Sequence, residues 1–248
     1  MKQSPSLKNW TSNDPQSVLN AITNVFDTMI DKDLLLLKNN IVQEINGRKS
    51  RVTWRSSSAD EQPVSSHEFA ALGEYRELVR TQSYSGVLFD GSLLQLTYTF
   101  LRGDLFDHRL CYYPCPFEIP LHELKNEALV DLIDLYQGAG LDSLRLRTPL
   151  RFDYSPDKAS PGHPATHLHM IRPQFRWAVA SPVSVGRFIR FIIYHFYPDV
   201  WDDYEFFREL PQEHCNRSIT SAEEELVHVE WRVCLPSAEV MAPGDMGY

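Results

Sequence analysis

Apolar residues return every three or four positions after Asp14-Pro15, at Val18, Leu19, Ile22, Val25, Phe26 and Met29. That spacing predicts a helix with one buried stripe, opened by the Asp-Pro pair. The period then shortens. Leu34 to Leu37, Ile41 to Ile45 and Arg51 to Arg55 read as short strands, with Asn46-Gly47 as the turn between the last two. Ser56 to Ser66 is Ser-rich and reads as a surface loop, and a helix is expected from Ser66 to Val79 with Phe69, Leu72, Tyr75 and Val79 on one side. Val87 to Phe89, Leu94 to Leu101 and Leu105 to Tyr113 follow as strands, punctuated by Asp90-Gly91 and Arg102-Gly103-Asp104. Residues 84 to 117 should therefore form antiparallel sheet.

Pro120 opens a helix that runs through Leu121, Leu124, Ala128, Leu132 and Leu135 to Gly138 and Gly140, with Glu123, Glu127, Asp131 and Asp134 on a solvated face. Leu144 to Tyr154, Thr166 to Ile171 and Phe175 to Ala180 are expected as three more strands. Ser184 is placed to cap a helix whose Phe188, Ile189, Phe191, Ile192, Ile193 and Phe196 are apolar nearly all round, which predicts burial as far as Pro198. His195 within it reads as a satisfied core histidine. A short aromatic helix, Trp201 to Glu209, and a capping-box start at Ser221 before alternating Leu226 to Val233 complete the pattern. The sum is one α+β domain over residues 1 to 248, a mainly antiparallel sheet packed against several helices, with frayed ends at about 1–13 and 236–248.

Composition narrows the class without naming a function. With 248 residues, 43% of them hydrophobic and 23% charged, the chain can bury a full core without disulfides or a structural metal. Its longest apolar run, Phe188 to Tyr197, is short and broken by Arg190 and His195, so no membrane association is expected. The polar N-terminal stretch lacks the form of a signal peptide, which leaves the cytoplasm as the expected location. Cys111, Cys115, Cys215 and Cys234 are too sparse for a disulfide framework. Zinc on Cys111, Cys115, Cys215 and a histidine is disfavoured because Tyr112-Tyr113-Pro114 between the first two reads as a strand edge. A net charge of -9 argues against general coating of nucleic acid, yet Arg145, Arg147, Arg151, Arg172, Arg176, Arg187 and Arg190 fall in one window.

Candidate chemistry concentrates in that window. Three of the nine histidines, His163, His167 and His169, follow closely on Arg151 and Asp153. On a strand, His167 and His169 share a face, within about 7 Å of each other by the strand rise. In one reading these histidines act without a cofactor: one takes a proton from a nucleophile such as the 2′-hydroxyl of RNA, another serves the leaving group. Asp153 would then orient an imidazole and Arg151 offset charge on the phosphate, with Arg147, Arg172 and Arg176 binding the substrate. In the alternative, His163, His167 and His169 hold a transition metal with an open position for water. The plain reading is that these are loop histidines satisfied by backbone, with Asp153 a turn former beside Ser155-Pro156. The chain has no phosphate-cradling glycine loop, no nucleophile elbow and no His-Glu-x-x-His helix.

The runs Leu150-Arg151-Phe152-Asp153-Tyr154, His163-Pro164-Ala165-Thr166-His167-Leu168-His169 and Phe188-Ile189-Arg190-Phe191-Ile192 with Phe196-Tyr197-Pro198 resemble a bacterial domain-of-unknown-function family. Its members turn up among mobile-element and phage-defence genes, and the resemblance covers mainly residues 140 to 200. A fainter similarity is to TumE-type toxins of toxin–antitoxin pairs, at Arg151, Asp153, His163, His167 and His169, with Phe152 and Tyr154 differing around the aspartate. Together with the histidine cluster, the resemblance implies a toxin-like effector, a nuclease cleaving RNA, with an antitoxin or defence-complex protein as partner. The alternative is a noncatalytic adaptor of a phage-defence complex, presenting exposed aromatics such as Trp54, Trp201 and Trp231.

Overall fold

The computed structural model describes residues 14–55, 72–139, 144–145, 147–170, 172–211 and 216–230, with only the backbone of residues 139, 172 and 173. Helix α1 (Pro15–Asp31) opens as its sequence dictates: the Asp14 carboxylate accepts from the Ser17 amide, and Pro15 occupies a first-turn position that needs no donor. Strands β1 (Leu35–Lys38), β2 (Ile41–Asn46) and β3 (Lys49–Trp54) follow. Asn46 pairs with Lys49 across a hairpin in which Gly47, at φ 60°, takes the left-handed conformation. Next come α2 (Leu72–Arg80), β4 (Gly86–Leu88), β5 (Leu93–Leu101), β6 (Asp104–Tyr113), α3 (Leu121–Asn126) and α4 (Leu129–Ala139). Strands β7 (Leu150–Tyr154), β8 (Thr166–Met170) and β9 (Arg172–Val179) lead into α5 (Val185–Phe196), α6 (Pro198–Asp203), α7 (Phe206–Glu209), α8 (Ser221–Glu224) and β10 (His228–Val229).

Among the described residues the ten strands make one sheet in the order β1-β4-β5-β6-β7-β8-β9-β10, with β3 joined to the far half of β5 and β2 beyond it. All pairings are antiparallel except that of β9 with β10. The α+β class expected from the hydrophobic pattern is the class observed.

Strand alternation gives the sheet two unlike faces. Leu94, Leu96, Tyr98 and Phe100 of β5, Leu110 and Tyr112 of β6, Phe152 of β7 and Leu168 of β8 pack against Ile22, Phe26 and Met29 of α1 and Phe188, Ile189 and Ile192 of α5. Each such buried side chain contributes roughly 1.5–3 kcal/mol. On the opposite face Leu93, Cys111 and Tyr113 join Tyr75 and Leu78 of α2 and Leu132 and Ile133 of α4 in a second cluster. Beyond that cluster, the same face continues as Thr97, Thr99, Arg109, Arg151, Asp153, His167 and His169. It carries the candidate site.

Several local expectations change. The helix from Pro120 is two helices, because Glu127 is extended at φ -118°, ψ 156°. The strand expected from Leu144 begins at Leu150, after Pro149, which lacks an amide to donate; Leu144 makes only an isolated bridge to Phe117. Pro198 both ends α5 and opens α6, so the aromatic segment is split between α6 and α7. The capping box is centred on Thr220, whose hydroxyl accepts from Glu223, rather than on Ser221. Asp134 forms a two-pronged ion pair with Arg76, at 2.5 and 2.8 Å. Trp54 is wholly buried, and His195 stands exposed on the outer face of α5. Cys111 and Cys115 are buried free thiols that burial pushes up to about 12 and about 11. The expected helix start at Ser66, Leu146, Ile171, Cys215, Trp231, Cys234, the strand end at Val233 and both frayed ends lie outside the described residues.

Candidate functional site

Register across three strands, β6, β7 and β8, builds the site. Arg109 of β6 faces Asp153 of β7, which faces His167 of β8; one step along, Cys111, Arg151 and His169 form the neighbouring row. Directly opposed and diagonal side chains on one face lie within reach of each other, so the fold brings Arg109, Arg151, Asp153, His167 and His169 together. Arg109 Nε donates to Asp153 Oδ1 at 3.1 Å, and Arg151 Nε to Asp153 Oδ2 at 2.9 Å. His169 Nε2 is 3.3 Å from the same Oδ2, and His167 Nε2 is 4.0 Å from it. The two imidazoles meet Nε2 to Nε2 at 2.9 Å. Among the described residues, Asp153, His167 and His169 form the group whose ligand atoms all lie within 4.8 Å of one another.

The connection between β7 and β8 supplies the rest. It turns through Pro156–Lys158 and Gly162, which sits at φ 78°, and closes by paired backbone bonds between Ser160 and His163. This lays the His163 ring edge-on over His167, centroid to centroid 4.7 Å, at the half-buried rim. The same turn presents the Pro164 carbonyl to His167 Nδ1 at 2.7 Å. A carbonyl can only accept, so Nδ1 carries the proton and Nε2 of a neutral His167 is left with its lone pair, aimed at His169.

His167 and His169 are each 2% exposed. Burial depresses His167 to about 4, against an opposing pull from Asp153. Burial likewise lowers His163, helped by the charge of Arg176. Burial alone would raise Asp153, but its contact with His169 and the guanidiniums of Arg151 and Arg109 outweigh that and hold its carboxyl well below the usual carboxylate range.

Above these groups opens a cleft of about 660 Å³. Six cations line it, Lys49, Arg51, Arg109, Arg151, Lys158 and Arg176, against two carboxylates, Asp107 and Asp153. The cleft is thus basic in a chain of net charge -9. Thr97, Thr99, Tyr154 and Ser155 line it too.

Of the residues expected from sequence, Arg151, Asp153, His163, His167, His169 and Arg176 line this one cleft. Asp153 stands where the metal alternative had set His163. Arg147 lies elsewhere, bonded to Asp90 at 3.1 Å beside a second hollow under Tyr197. The side chain of Arg172 is outside the described residues. The arginine-rich window disperses further: Arg145 pairs with Glu118, Arg187 is buried on Ser181, and Arg190 lies over the Trp201 ring. Lys49, Arg51, Arg109 and Lys158 are cleft cations that the local pattern did not single out. Only the pairing of β3, β5 and β6 reveals the first three.

No curated protein and no solved structure matches the chain. One family model does, over residues 34–231, a span that contains all ten strands and the whole of the cleft. The chain therefore belongs to the family of uncharacterised conserved proteins designated DUF2290.

Proposed function

We propose that this protein cleaves phosphodiester bonds in RNA and acts in the cytoplasm as a toxin-like effector of bacterial defence or toxin–antitoxin systems, with an antitoxin or defence-complex protein as partner. The observation that carries the reading is the buried Asp153–His169–His167 contact at the floor of a cleft edged by six cations. A polyanion is the ligand such a cleft favours, because each phosphate brought to Lys49, Arg51 or Arg176 exchanges condensed counterions for a fixed cation. Within the cleft, Arg109 and Arg151 are held in place by Asp153 and so lie ready to meet charge that develops on a phosphoryl oxygen.

Two chemistries use such a floor. Imidazoles can move the proton of the RNA's own 2′-hydroxyl, or a bound metal ion can activate water. RNA and an RNA bearing a single 2′-deoxy residue at the cleaved position separate them, since only the first chemistry needs that hydroxyl. Purified wild type should shorten single-stranded RNA, and His167→Ala and His169→Ala should lose at least about a hundredfold in rate. Equal RNA integrity with wild type and both variants sinks the reading. The adaptor alternative loses one support in the burial of Trp54; it would gain if purified protein left RNA intact but bound a neighbouring gene's product.

A further inference from the structure

We propose that Asp153, His167 and His169 form a binding site for one divalent transition-metal ion. This rests on the phosphodiesterase reading for its purpose but on side-chain geometry for its existence. The three ligand atoms are separated by 2.9 Å (Nε2 to Nε2), 3.3 Å (His169 Nε2 to Oδ2) and 4.0 Å (His167 Nε2 to Oδ2). The circle through a triangle with those sides has a radius of about 2.0 Å, so a single point lies at that distance from all three atoms. Metal–imidazole and metal–carboxylate bonds to zinc are about 2.0–2.2 Å long.

Tautomers point the same way. His167 gives its Nδ1 proton to the Pro164 carbonyl, the usual backing for a metal-bound imidazole, and turns the Nε2 lone pair inward. His169 presents the same Nε2 to that spot, and its Nδ1 is buried with no hydrogen-bond partner among the described residues. Two imidazole Nε2 atoms facing each other at 2.9 Å are satisfied either by one shared proton or by one shared cation. The carboxylate on the third side favours the cation. His163 lies beside this set and is not needed by it.

Two nitrogens and one oxygen select a borderline ion such as zinc, cobalt or iron over magnesium or calcium. Three protein ligands leave coordination positions open toward the cleft, where water and a phosphoryl oxygen can enter. In the hydrolysis this permits, the water oxygen bonds to phosphorus, the bond to the leaving ribose oxygen breaks, and the water's proton ends on that oxygen. Arg109 and Arg151 already balance the Asp153 carboxylate, so a dication enters a site that is not net negative. Binding of the ion should consequently tighten when an anion joins it.

The test uses the full chain, stripped with a chelator and titrated with cobalt(II), followed by visible absorption and by equilibrium dialysis. One ion per chain is expected, with affinity raised at least about threefold by inorganic phosphate. His167→Ala and His169→Gln should each weaken it by more than the 10–100-fold that loss of a supporting residue costs. His163→Ala should leave stoichiometry and affinity unchanged. Circular dichroism on each variant checks folding, and the use of two ligand variants guards against the collapse of one. Absence of a cobalt spectrum in the wild type, or unchanged binding in both folded ligand variants, overturns the site; so does loss of binding in His163→Ala alone. RNA cleavage by metal-free protein would overturn the catalytic purpose of the ion while leaving the nuclease reading intact. Metal binding without cleavage would do the reverse.

Discussion

Arg109 and Asp153 face each other in register across β6 and β7, and their side chains close the backbone pairing with a bond of 3.1 Å. Arg151 completes the arrangement from the same strand as the carboxylate, so one buried anion holds two guanidiniums. Removing the anion takes a charge-assisted bond from two guanidiniums at once, one of them Arg151 at 9% exposure, whereas removing Arg109, whose side chain is 38% exposed, leaves the inner pair whole. Asp153→Ala should therefore destabilise the protein by about 3 kcal/mol, and Arg109→Ala by no more than about 1 kcal/mol. Urea denaturation of the two variants checks the order; equal losses would show that the carboxylate is not the hub.

A second consequence concerns acid. His108 is 2% exposed, and its Nε2 accepts from the Val183 amide at 2.9 Å, a bond that only the neutral ring can make. Burial, partly opposed by Asp153, lowers it from 6.5 to about 4. The unfolded chain thus binds a proton that the folded chain refuses between those values. Stability from this group is complete above about pH 6.5 and is lost as pH falls toward 4, by roughly 3 kcal/mol in all. His108→Gln keeps an acceptor for Val183 but does not titrate. The loss of stability between pH 7 and pH 4.5 should be smaller in the variant than in wild type, and identical slopes would show that His108 plays no part.

Much of this fold was legible because apolar period and turn chemistry agree locally. The α1 stripe, the Asn46-Gly47 hairpin and the Ser184 cap each fell where sequence placed them. The same-face pair His167 and His169 followed from strand alternation alone, though their rings lie closer than the strand rise suggests because both lean toward one point. Register is non-local and was not legible. Arg109 belongs to the site only because β6 pairs with β7, and Arg51 only because β3 crosses the end of β5 opposite Thr99. Arg147 misled for the complementary reason: its neighbours in sequence approach the site, but before Pro149 the chain is not yet in the sheet.

Packing at the N-terminus of α5 leaves no room for a side chain at Gly186. A Cβ there would stand 2.3 Å from the Pro211 carbonyl oxygen and 3.6 Å from the Leu210 side chain. The first contact is with backbone, which cannot rotate away. Gly186→Ala should cost about 1–3 kcal/mol, as overpacking does, against the small gain that alanine brings to an exposed helix. A thermal or urea midpoint equal to or above wild type would mean that the chain around Pro211 yields easily.

Cations at the two ends of the cleft should differ from those at its floor in how they act on a polyanion. Arg51 reaches the cleft from β3 and Arg176 from β9, on opposite sides of the histidines, so an RNA strand bound as proposed would meet both. Each phosphate neutralised along a single strand lowers the slope of log affinity against log salt by about 0.7. Arg51→Ala and Arg176→Ala should therefore each weaken binding of a single-stranded RNA in His167→Ala protein, and each should flatten the salt dependence by about 0.7. Their effects should add, because in the proposed binding mode the two side chains would contact separate phosphates. Fluorescence anisotropy at four or five salt concentrations measures both quantities. A weaker affinity with an unchanged slope would mean that these arginines support the cleft wall without touching phosphate, and the path of the RNA would then have to run along the floor between Arg109 and His163.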